Sequence, residues 1–346
     1  MRKLTYCDAL REAMVQEMER DKSVFVYGIG VPDHKAIFGT TAGIQERFGA
    51  QRCFDTPLAE DTMSGFGLGA ALNGLRPINI HIRVDFLLLA MNQIANMISC
   101  CRYSSRGMLK APMVIRAVIG RGWGQGFQHS KSMHSVFAHI PGLKVVLPTT
   151  PRDAKGLLTA AIRDDNPVLM IEHRWLYWQE GEVPQAPFVE PLGKSNVIRN
   201  GKDITIVALS WMNVEALKAA EILQRRGISV EIVDPRTISP LDDEPIVRSV
   251  KKTGRCIIAD YDWIHSGFSA EIATKIYEKC LGKLKQPIER IGFAPTPCPT
   301  VRHLENEFYP NAINIIRMVE KMLHLSPTDL SGEEFYSHEK RFKGPF

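Results

Sequence analysis

The chain has 346 residues, a length that suits two domains of ordinary size better than one or three. Its 45% hydrophobic and 23% charged residues are typical of globular proteins, which excludes fibrous and intrinsically disordered folds. The net charge of +5 is mild, and the basic residues are scattered along the chain. Because nucleic-acid binding usually needs a basic stripe or patch, we do not expect it here.

The sequence also argues against a membrane span and a secreted disulfide scaffold. No run approaches the roughly 18 apolar residues that a span needs, and the best candidate, 86–97, is interrupted by three amides. The N-terminus lacks the apolar core of a secretory signal, so a cytoplasmic location is expected. The seven cysteines form no CxxC pair, which makes disulfides and a zinc site unexpected.

In the first half of the chain, helical and strand-like segments alternate. The spacing of Leu10, Met14 and Met18 predicts a helix over about 5–20. Asp55 and Pro57 suggest the cap and first turn of a helix that continues through small residues to about 75. A single long helix is expected over 86–102, and another over 151–165. The predicted strands are near-continuous apolar runs at 23–28, 77–82, 111–120, 144–150 and 167–174.

The alternation stops near residue 175 and restarts near 203. The intervening segment contains Gly181, Pro184, Pro187, Pro191 and Gly193, as is typical of a linker. Strands are then expected at 204–210, 229–234, 255–260 and 287–293, and helices at about 213–227, 243–252, 268–282 and 311–324. The polar residues after Leu325 suggest a surface arm or a subunit-contact segment, with Phe335, Tyr336 and Phe346 as its anchors.

This pattern predicts an α/β protein with two doubly wound domains. Apolar strands alternating with helices are typical of parallel sheets covered on both faces. We place the first domain at 4–178, the linker at 179–202, the second domain at 203–325 and the tail at 326–346.

The glycine motifs do not support the commonest nucleotide-binding functions. Gly28 and Gly30 follow a strand, but residue 33 is Asp where a dinucleotide fingerprint requires Gly. The glycines of 120–126 also fail that pattern, and no GxxxxGK[ST] motif exists. A Rossmann dehydrogenase and a P-loop NTPase are therefore disfavoured.

Three residues have both an ordinary and a functional interpretation. Glu60 lies close to a predicted helix start, where the helix dipole favours any acidic residue. It also lies at a strand–helix junction, where α/β sheets bind ligands and where a carboxylate can share a proton with a heterocycle. His129 lies in a glycine-rich loop that is either solvated or catalytic. Phe86 belongs either to the core or to the floor of a pocket for a ring-shaped ligand.

Several strings resemble one family, the beta subunits of the thiamine diphosphate-dependent decarboxylase component of 2-oxoacid dehydrogenase complexes. They are FDTPLAE, GAALNGLRP, RYSSRG, QHS, IPGLKVV, DAKGLL, AIRDDNPV and PRTISPLD. The resemblance covers roughly residues 4–324. It implies a transketolase-like pyrimidine-binding domain followed by a transketolase C-terminal domain.

The resemblance also implies roles for individual residues. Glu60 falls at the glutamate that hydrogen-bonds the aminopyrimidine and promotes loss of the thiazolium C2 proton. Phe86 falls at the aromatic residue that packs on that ring, with Ile82 beside it. His129 falls at the family's active-site histidine. Met113, Ala161, Asp164 and Asn166 fall where some members bind a monovalent cation such as K⁺.

An absent motif implies a partner. The superfamily holds the diphosphate and Mg²⁺ with a GDG motif and a downstream asparagine, and this chain has no GDG. The resemblance therefore implies an alpha subunit that holds Mg²⁺, an α2β2 heterotetramer, and a thiamine diphosphate site shared between the subunits. It also implies a small 2-oxoacid substrate and a lipoyl-bearing acyltransferase as acceptor.

Departures from the family pattern leave alternatives open. Ile80 and Asn92 stand where family members commonly carry acids, His81 and Arg83 are unexpectedly polar, and Lys131 follows QHS where Gln is frequent. The expected function is a 2-oxoacid dehydrogenase beta subunit. The alternatives are a split transketolase or acyloin-forming carboligase with the same cofactor, and a non-catalytic structural subunit.

Overall fold

The computed structural model describes residues 1–120 and 124–335, which form two compact units. The first unit contains 1–120, 131–192 and 237–240. The second contains the rest of the described chain, including 124–130, 193–236 and 241–335. Residues 124–130 therefore belong to the second unit, although the residues on either side of 121–130 belong to the first. Residues 237–240 belong to the first unit, although their sequence neighbours belong to the second.

Residues 1–120 and 124–192, the described first part of the chain, form eight strands and seven α-helices. The strands are β1 (Arg2–Thr5), β2 (Val24–Gly28), β3 (Cys53–Phe54), β4 (Arg76–His81), β5 (Val114–Ile119), β6 (Lys144–Val146), β7 (Val168–His173) and β8 (Glu180–Val183). The helices are α1 (Tyr6–Arg20), α2 (Ile44–Phe48), α3 (Glu60–Leu72), α4 (Val84–Leu87), α5 (Cys101–Ser104), α6 (His134–Ala138) and α7 (Pro151–Arg163).

The second part of the chain repeats the alternation. Its strands are β9 (Asn196–Arg199), β10 (Ile204–Ala208), β11 (Val230–Asp234), β12 (Thr237–Ser239), β13 (Cys256–Trp263) and β14 (Glu289–Phe293). Its helices are α8 (Met212–Gln224), α9 (Glu244–Thr253), α10 (Phe268–Cys280), α11 (Arg302–Phe308) and α12 (Ala312–Met322).

The first unit is built on a seven-stranded sheet in the order β12-β6-β7-β5-β4-β2-β3. All neighbours are parallel except β12, which pairs antiparallel with β6. From β2 the chain adds β3 on one side and then β4 on the other, so the order reverses at β2. In open α/β sheets, ligands bind at the carboxyl ends of the strands on either side of such a reversal.

A buried ion pair lies in the core of this sheet, on β5 and β7. The Arg116 guanidinium donates two hydrogen bonds to the Glu172 carboxylate, and both side chains are almost fully buried. The Tyr177 hydroxyl donates a further bond to Glu172, at 2.9 Å. The charge of the arginine is therefore neutralised within the sheet, and burial and the neighbouring carboxylate raise the pKa of Tyr177.

The second unit has a five-stranded sheet in the order β14-β13-β10-β11-β9, parallel except for β9. The start of the tail packs on this unit. Arg226 donates to the Ser326 carbonyl at 2.8 Å, and the Lys218 ammonium lies 4.6 Å from the centre of the Phe335 ring. The predicted anchors Tyr336 and Phe346 lie outside the described residues.

Most predicted elements are present, and the α/β fold class is confirmed. Helix α1 begins after Thr5, whose side chain accepts from the Asp8 amide, and α7 begins at Pro151 after the same kind of cap by Thr150. The segment 179–202, predicted as the linker, contains β8, which pairs with β1, and β9 of the second sheet.

Two predicted helices were wrong in detail. Asp55 does not cap a helix, since α3 begins five residues later at Glu60. The expected long helix over 86–102 is broken into α4, a 3-10 turn at 88–90, a π-helical segment at 93–98 and α5. The Ser99 hydroxyl bonds to the Ala95 carbonyl, and the Ser99 amide reaches back to Ile94, so the regular helical ladder is lost there.

Within the described residues, no single helix is long and apolar enough to cross a membrane. The helices over 84–90 and 93–104 meet that criterion only when taken together, and they are bent by 63° with respect to each other.

Candidate active site

The carboxyl ends of β2, β3 and β4 lie side by side in the first unit. Asp55, just after β3, accepts hydrogen bonds from the amides of Gly30 and Thr56, both at 2.8 Å, and so ties the ends of β2 and β3 together. Gly28 has a φ of +151°, and a Cβ there would lie 2.3 Å from the Ile80 carbonyl oxygen of β4. Only glycine allows β2 to approach β4 this closely, at the edge where the strand order reverses.

Glu60 is the first residue of α3 and is half-buried. Its neighbour Ala59 supplies no side-chain cap, so the carboxylate lies at an uncapped helix start, where the dipole favours negative charge. Among the described residues, no group forms a hydrogen bond or ion pair with this carboxylate. Glu60 can therefore accept a hydrogen bond from a ligand.

An aromatic cluster fixes α3 on the sheet. The rings of Phe25, Tyr27, Phe54 and Phe66 lie with centroids 5.4 to 6.3 Å apart. The Tyr27 hydroxyl donates to the Met63 carbonyl of α3 at 2.9 Å, and burial raises its pKa well above the ordinary value. The start of α3, and with it Glu60, is held by this cluster.

Ile82 and Phe86 follow β4 at the same edge. Ile82 is half-buried, and Phe86 in α4 is 37% exposed, so part of its ring faces outward. The 3-10 and π-helical turns that follow α4 pack against α3. The structure therefore brings Glu60, Ile82 and Phe86 to neighbouring elements of one unit.

Behind this edge lies a buried polar pair. His81, the last residue of β4, shares a 3.0 Å hydrogen bond with the Asn79 amide through Nε2. Burial lowers the pKa of His81 to about 4, so the ring is neutral at neutral pH. A neutral ring whose Nε2 accepts from Asn79 carries its proton on Nδ1.

Two charged residues next to Phe86 contact the segments on either side of the loop after β5. Arg83 donates to the Gly120 carbonyl, and Asp85 accepts from Lys131. Asp85 was not identified from the sequence, because its partner lies 46 residues away and nothing local distinguishes it from a helix-start aspartate. The unusual polarity of Arg83 and Lys131 was the available signal.

His129 follows a 3-10 turn at 126–128 and belongs to the second unit, whereas Glu60, Ile82 and Phe86 belong to the first. It is half-buried. Its loop is held within its own unit, since Tyr309 donates to the Ser130 carbonyl at 3.1 Å. A Cβ on Gly126 would lie 2.6 Å from Thr300, so the loop approaches that residue closely.

The four residues suggested for a monovalent cation lie near the end of α7. The Met113 carbonyl accepts from the Val168 amide, and that of Ala161 accepts from Asp164. The Asp164 carbonyl accepts from Arg76 at 3.1 Å, and its carboxylate pairs with Lys144 and with Asn166. Each carbonyl keeps a second lone pair, and the carboxyl end of a helix favours a cation, so the donor set fits one.

Among residues 1–120 and 124–335, no group of three or more His, Cys, Asp or Glu side chains is arranged to hold a metal ion.

Comparison with known families gives matches for both units. Residues 2–179 match the transketolase pyrimidine-binding domain, and residues 193–315 match the transketolase C-terminal domain. Over 310 residues the chain is 43% identical to the 2-oxoisovalerate dehydrogenase subunit beta of Bacillus subtilis, covering 89% of this chain and 95% of that protein. The chain belongs to the family of 2-oxoacid dehydrogenase beta subunits, within the transketolase-like proteins.

Other members of the beta-subunit family are similarly related. The pyruvate dehydrogenase E1 component subunit beta of Rhizobium meliloti is 40% identical over 94% of this chain and 71% of its own length. The acetoin:2,6-dichlorophenolindophenol oxidoreductase subunit beta of Cupriavidus necator is 40% identical over 93% of this chain and 98% of its own length.

A solved structure shares the fold of this beta-subunit family member. It is a split-gene transketolase described as an inactive beta4 tetramer, with a TM-score of 0.73 and 22% identity. The aligned region covers 94% of this chain and 99% of the transketolase chain.

Proposed function

We propose that this chain is the beta subunit of a thiamine diphosphate-dependent 2-oxoacid dehydrogenase. The observation that carries the proposal is the carboxylate of Glu60 at the start of α3, which has no partner among the described residues, in a chain about 40% identical to such subunits over most of its length. The enzyme decarboxylates a small 2-oxoacid and transfers the acyl group to a lipoyl acceptor.

The residues of the first unit fit the pyrimidine half of a cofactor site. Glu60 would hydrogen-bond the aminopyrimidine ring and hold a proton for it. The partly exposed ring of Phe86 would offer the ligand a flat apolar surface, and the half-buried Ile82, also after β4, would contact it. Thiamine diphosphate supplies the electron sink for decarboxylation. His129, on the second unit, donates or accepts a proton near the substrate and the acyl acceptor.

A separate alpha subunit completes the assembly in this proposal, as an α2β2 heterotetramer. The chain has no GDG motif, and Mg²⁺ with the diphosphate is assigned to the partner. Large apolar side chains just before α3 and on the turns packed against it are exposed: Leu58 by 81%, Leu89 by 62% and Met97 by 50%. Exposed apolar clusters of this kind mark protein interfaces.

We place the enzyme in the cytoplasm because all seven cysteines are unpaired thiols, as is usual in reducing compartments.

The test replaces Glu60 with Gln in the chain co-expressed with an alpha subunit that carries the GDG motif. Loss of the proton-holding group is expected to lower kcat by about 10²- to 10⁴-fold. The control is Asp61→Asn, the next residue of the same helical turn, whose carboxylate accepts from Gln93. Full turnover in the Glu60→Gln enzyme would mean that the chain is a structural subunit.

A second candidate is a carboligase or split transketolase with the same cofactor. It is prompted by the departures from the family pattern at Ile80 and Asn92 and by the polar residues His81 and Arg83. The assay that separates the two measures lipoamide- or dye-dependent oxidation of the 2-oxoacid. Formation of an acyloin or sugar without any oxidant would support the carboligase instead.

We also propose that the carbonyls of Met113, Ala161 and Asp164, with Asn166, bind K⁺. Thermal unfolding in KCl and in choline chloride at equal ionic strength tests this. A higher melting temperature in KCl supports the site, and equal melting temperatures contradict it.

A further inference from the structure

An open cavity of about 760 Å³ lies in the first unit, at the amino ends of β6 and β7. Asn166 and Pro167, which line it, directly precede β7, and Gly142 lies two residues before β6. Glu60 follows the carboxyl end of β3 in the same sheet. The cavity therefore lies at the opposite end of the strands from the candidate site.

The other wall of the cavity is the end of α5 and the turn after it. Arg102, Tyr103 and Arg106 line this wall. Arg106 has a φ of +55° and Gly107 one of +81°, and the Gly107 amide donates to the Arg102 carbonyl at 2.8 Å. A residue other than glycine is strained in this region, and such strain concentrates at functional sites.

The sequence around this wall carries charge of one sign. From Phe86 to Arg152 the chain contains no aspartate or glutamate. Carboxylates from elsewhere neutralise most of the basic residues that the structure describes in this stretch. The ion pairs are Lys110–Asp165, Arg116–Glu172, Lys131–Asp85, Lys144–Asp164 and Arg152–Glu190. The described basic residues that remain without a carboxylate are Arg102 and Arg106, and both line the cavity.

The two guanidinium groups have little to neutralise them locally. Arg102 donates to Asn166 Oδ1, a neutral amide oxygen, at 2.9 Å. Among the described residues, no group forms a hydrogen bond or ion pair with the Arg106 guanidinium. The described residues that line the cavity include no acidic side chain. Because like charges on one wall repel, an anion between them is favoured.

A phosphate monoester suits this wall better than a carboxylate does. Its charge of about −1.5 to −2 at pH 7 matches two guanidinium groups, which bind phosphate oxygens through paired N–H donors. The cavity has room for more than a phosphate group, and the Tyr103 ring, 90% exposed, offers apolar surface for the rest of a ligand. We propose that this cavity binds a small phosphorylated molecule through Arg102 and Arg106.

Isothermal titration calorimetry of the purified full-length chain tests the proposal. The probes are phenyl phosphate (the simplest aromatic phosphate monoester), inorganic phosphate and phenol. Phenyl phosphate is expected to bind more tightly than inorganic phosphate, because its ring can contact Tyr103, and phenol is expected not to bind. Equal affinities for phenyl phosphate and inorganic phosphate would show that the site takes the free ion and not a phosphorylated molecule.

Arg106→Gln is the main variant, since Arg106 has no partner within the described chain whose loss would disturb the fold. We expect it to weaken binding of phenyl phosphate by at least about tenfold, because a charge-assisted contact is lost. Arg106→Lys keeps the charge but not the planar pair of donors, so its affinity is expected to lie between those of wild type and Arg106→Gln.

The matched control is Arg248→Gln. Arg248 on α9 is also exposed and without a partner among the described residues, but it does not line this cavity. Its replacement is expected to leave both dissociation constants unchanged. Equal binding by wild type, Arg106→Gln and Arg248→Gln would overturn the proposal, because the phosphate group would then bind elsewhere.

The absence of binding by either phosphate probe also overturns it. Two such arginines could instead contact an acidic segment of a partner protein. Weaker association of Arg106→Gln with the alpha subunit in sedimentation velocity, without phosphate binding, would identify that contact. Since no measurement here depends on turnover, the result is separate from the proposed 2-oxoacid dehydrogenase function.

Discussion

At the scale of single residues, His81 of the first unit is a buried ionisable group. It is the last residue of β4, with Asn79 as its hydrogen-bond partner. Its pKa is lowered from 6.5 to about 4 because burial disfavours the charged ring. The unfolded chain therefore binds a proton at His81 at a pH where the folded chain does not.

This difference predicts a pH-dependent stability. Between pH 6.5 and 4 the unfolded state binds more protons at His81 than the folded state does. The contribution of His81 to the free energy of unfolding is therefore complete above pH 6.5 and is lost as the pH falls towards 4. Between pH 7 and 4.5 the histidine accounts for about 2–3 kcal/mol, from 1.36 kcal/mol per pKa unit. His81→Gln, which keeps an acceptor for Asn79, is expected to reduce the pH-dependent loss by this amount.

The measurement is urea unfolding of wild type and variant at both pH values. His34→Gln, at an exposed histidine, is the control and should leave the pH dependence unchanged. Equal losses in wild type and His81→Gln would show that His81 titrates normally in the folded chain.

At the scale of elements, α3 positions Glu60, and two of its glycines face different surroundings. A Cβ on Gly67 would lie 2.1 Å from the Tyr27 hydroxyl and 2.6 Å from the Met113 methyl group. A Cβ on Gly69 would have no atom within 4 Å. The close packing of α3 on β2 therefore depends on one of these glycines and not on the other.

We predict opposite effects of the two alanine substitutions on the free energy of unfolding. Gly69→Ala is expected to stabilise the chain by up to about 1 kcal/mol, because alanine is the better helix former. Gly67→Ala gains the same propensity but must displace Tyr27 and Met113, for a net destabilisation of about 1–3 kcal/mol. Urea unfolding of the purified chain checks both. A stabilising Gly67→Ala would mean that α3 has room to shift away from the sheet.

The sequence predicts elements well where one local signal decides them. Helix α1 follows from the regular spacing of Leu10, Met14 and Met18, and the buried strands follow from their apolar runs. The caps Thr5 and Thr150 became visible only in the structure. The start of α3 was misplaced because Asp55 binds the distant Gly30 amide instead of its own segment. The break within 86–102 coincides with the bonds of Ser99 to Ala95 and Ile94, which the apolar spacing does not record.

The candidate site also contains some residues that the sequence predicts and others that it does not. Glu60, Ile82, Phe86 and His129 could be named because their surrounding strings resemble a known family. Asp85 could not, since it pairs with Lys131 across 46 residues of sequence. That the loop with His129 joins the second unit, while its flanks stay in the first, is also a tertiary property with no sequence signal.

At the scale of the whole molecule, several large apolar side chains are exposed just before α3 and on the turns packed against it. Leu58 lies just before α3, and Leu89 and Met97 lie on the helical turns that pack against it. Exposing these side chains does not stabilise the isolated chain, because a leucine side chain contributes about 1.5–3 kcal/mol to the free energy of unfolding only when it is buried. The arrangement is what an interface with the alpha subunit requires.

The last prediction tests this interface with two leucines. Leu89 is 62% exposed next to the candidate site, and Leu281 is 72% exposed in the second unit. Both are solvent-facing in the isolated chain, so alanine at either position should leave its melting temperature nearly unchanged. Leu89→Ala is expected to weaken association with the alpha subunit by at least about tenfold, or about 1.4 kcal/mol. Leu281→Ala should associate as wild type does.

Sedimentation velocity of chain and alpha subunit mixed over a range of concentrations measures the two dissociation constants. Weaker association only in Leu89→Ala places the alpha subunit over the start of α3, where it can complete the site that Glu60 begins. Equal association of both variants would move the interface elsewhere. The exposed side chains of Leu58, Leu89 and Met97 would then require another partner, because clusters of exposed apolar side chains mark protein interfaces.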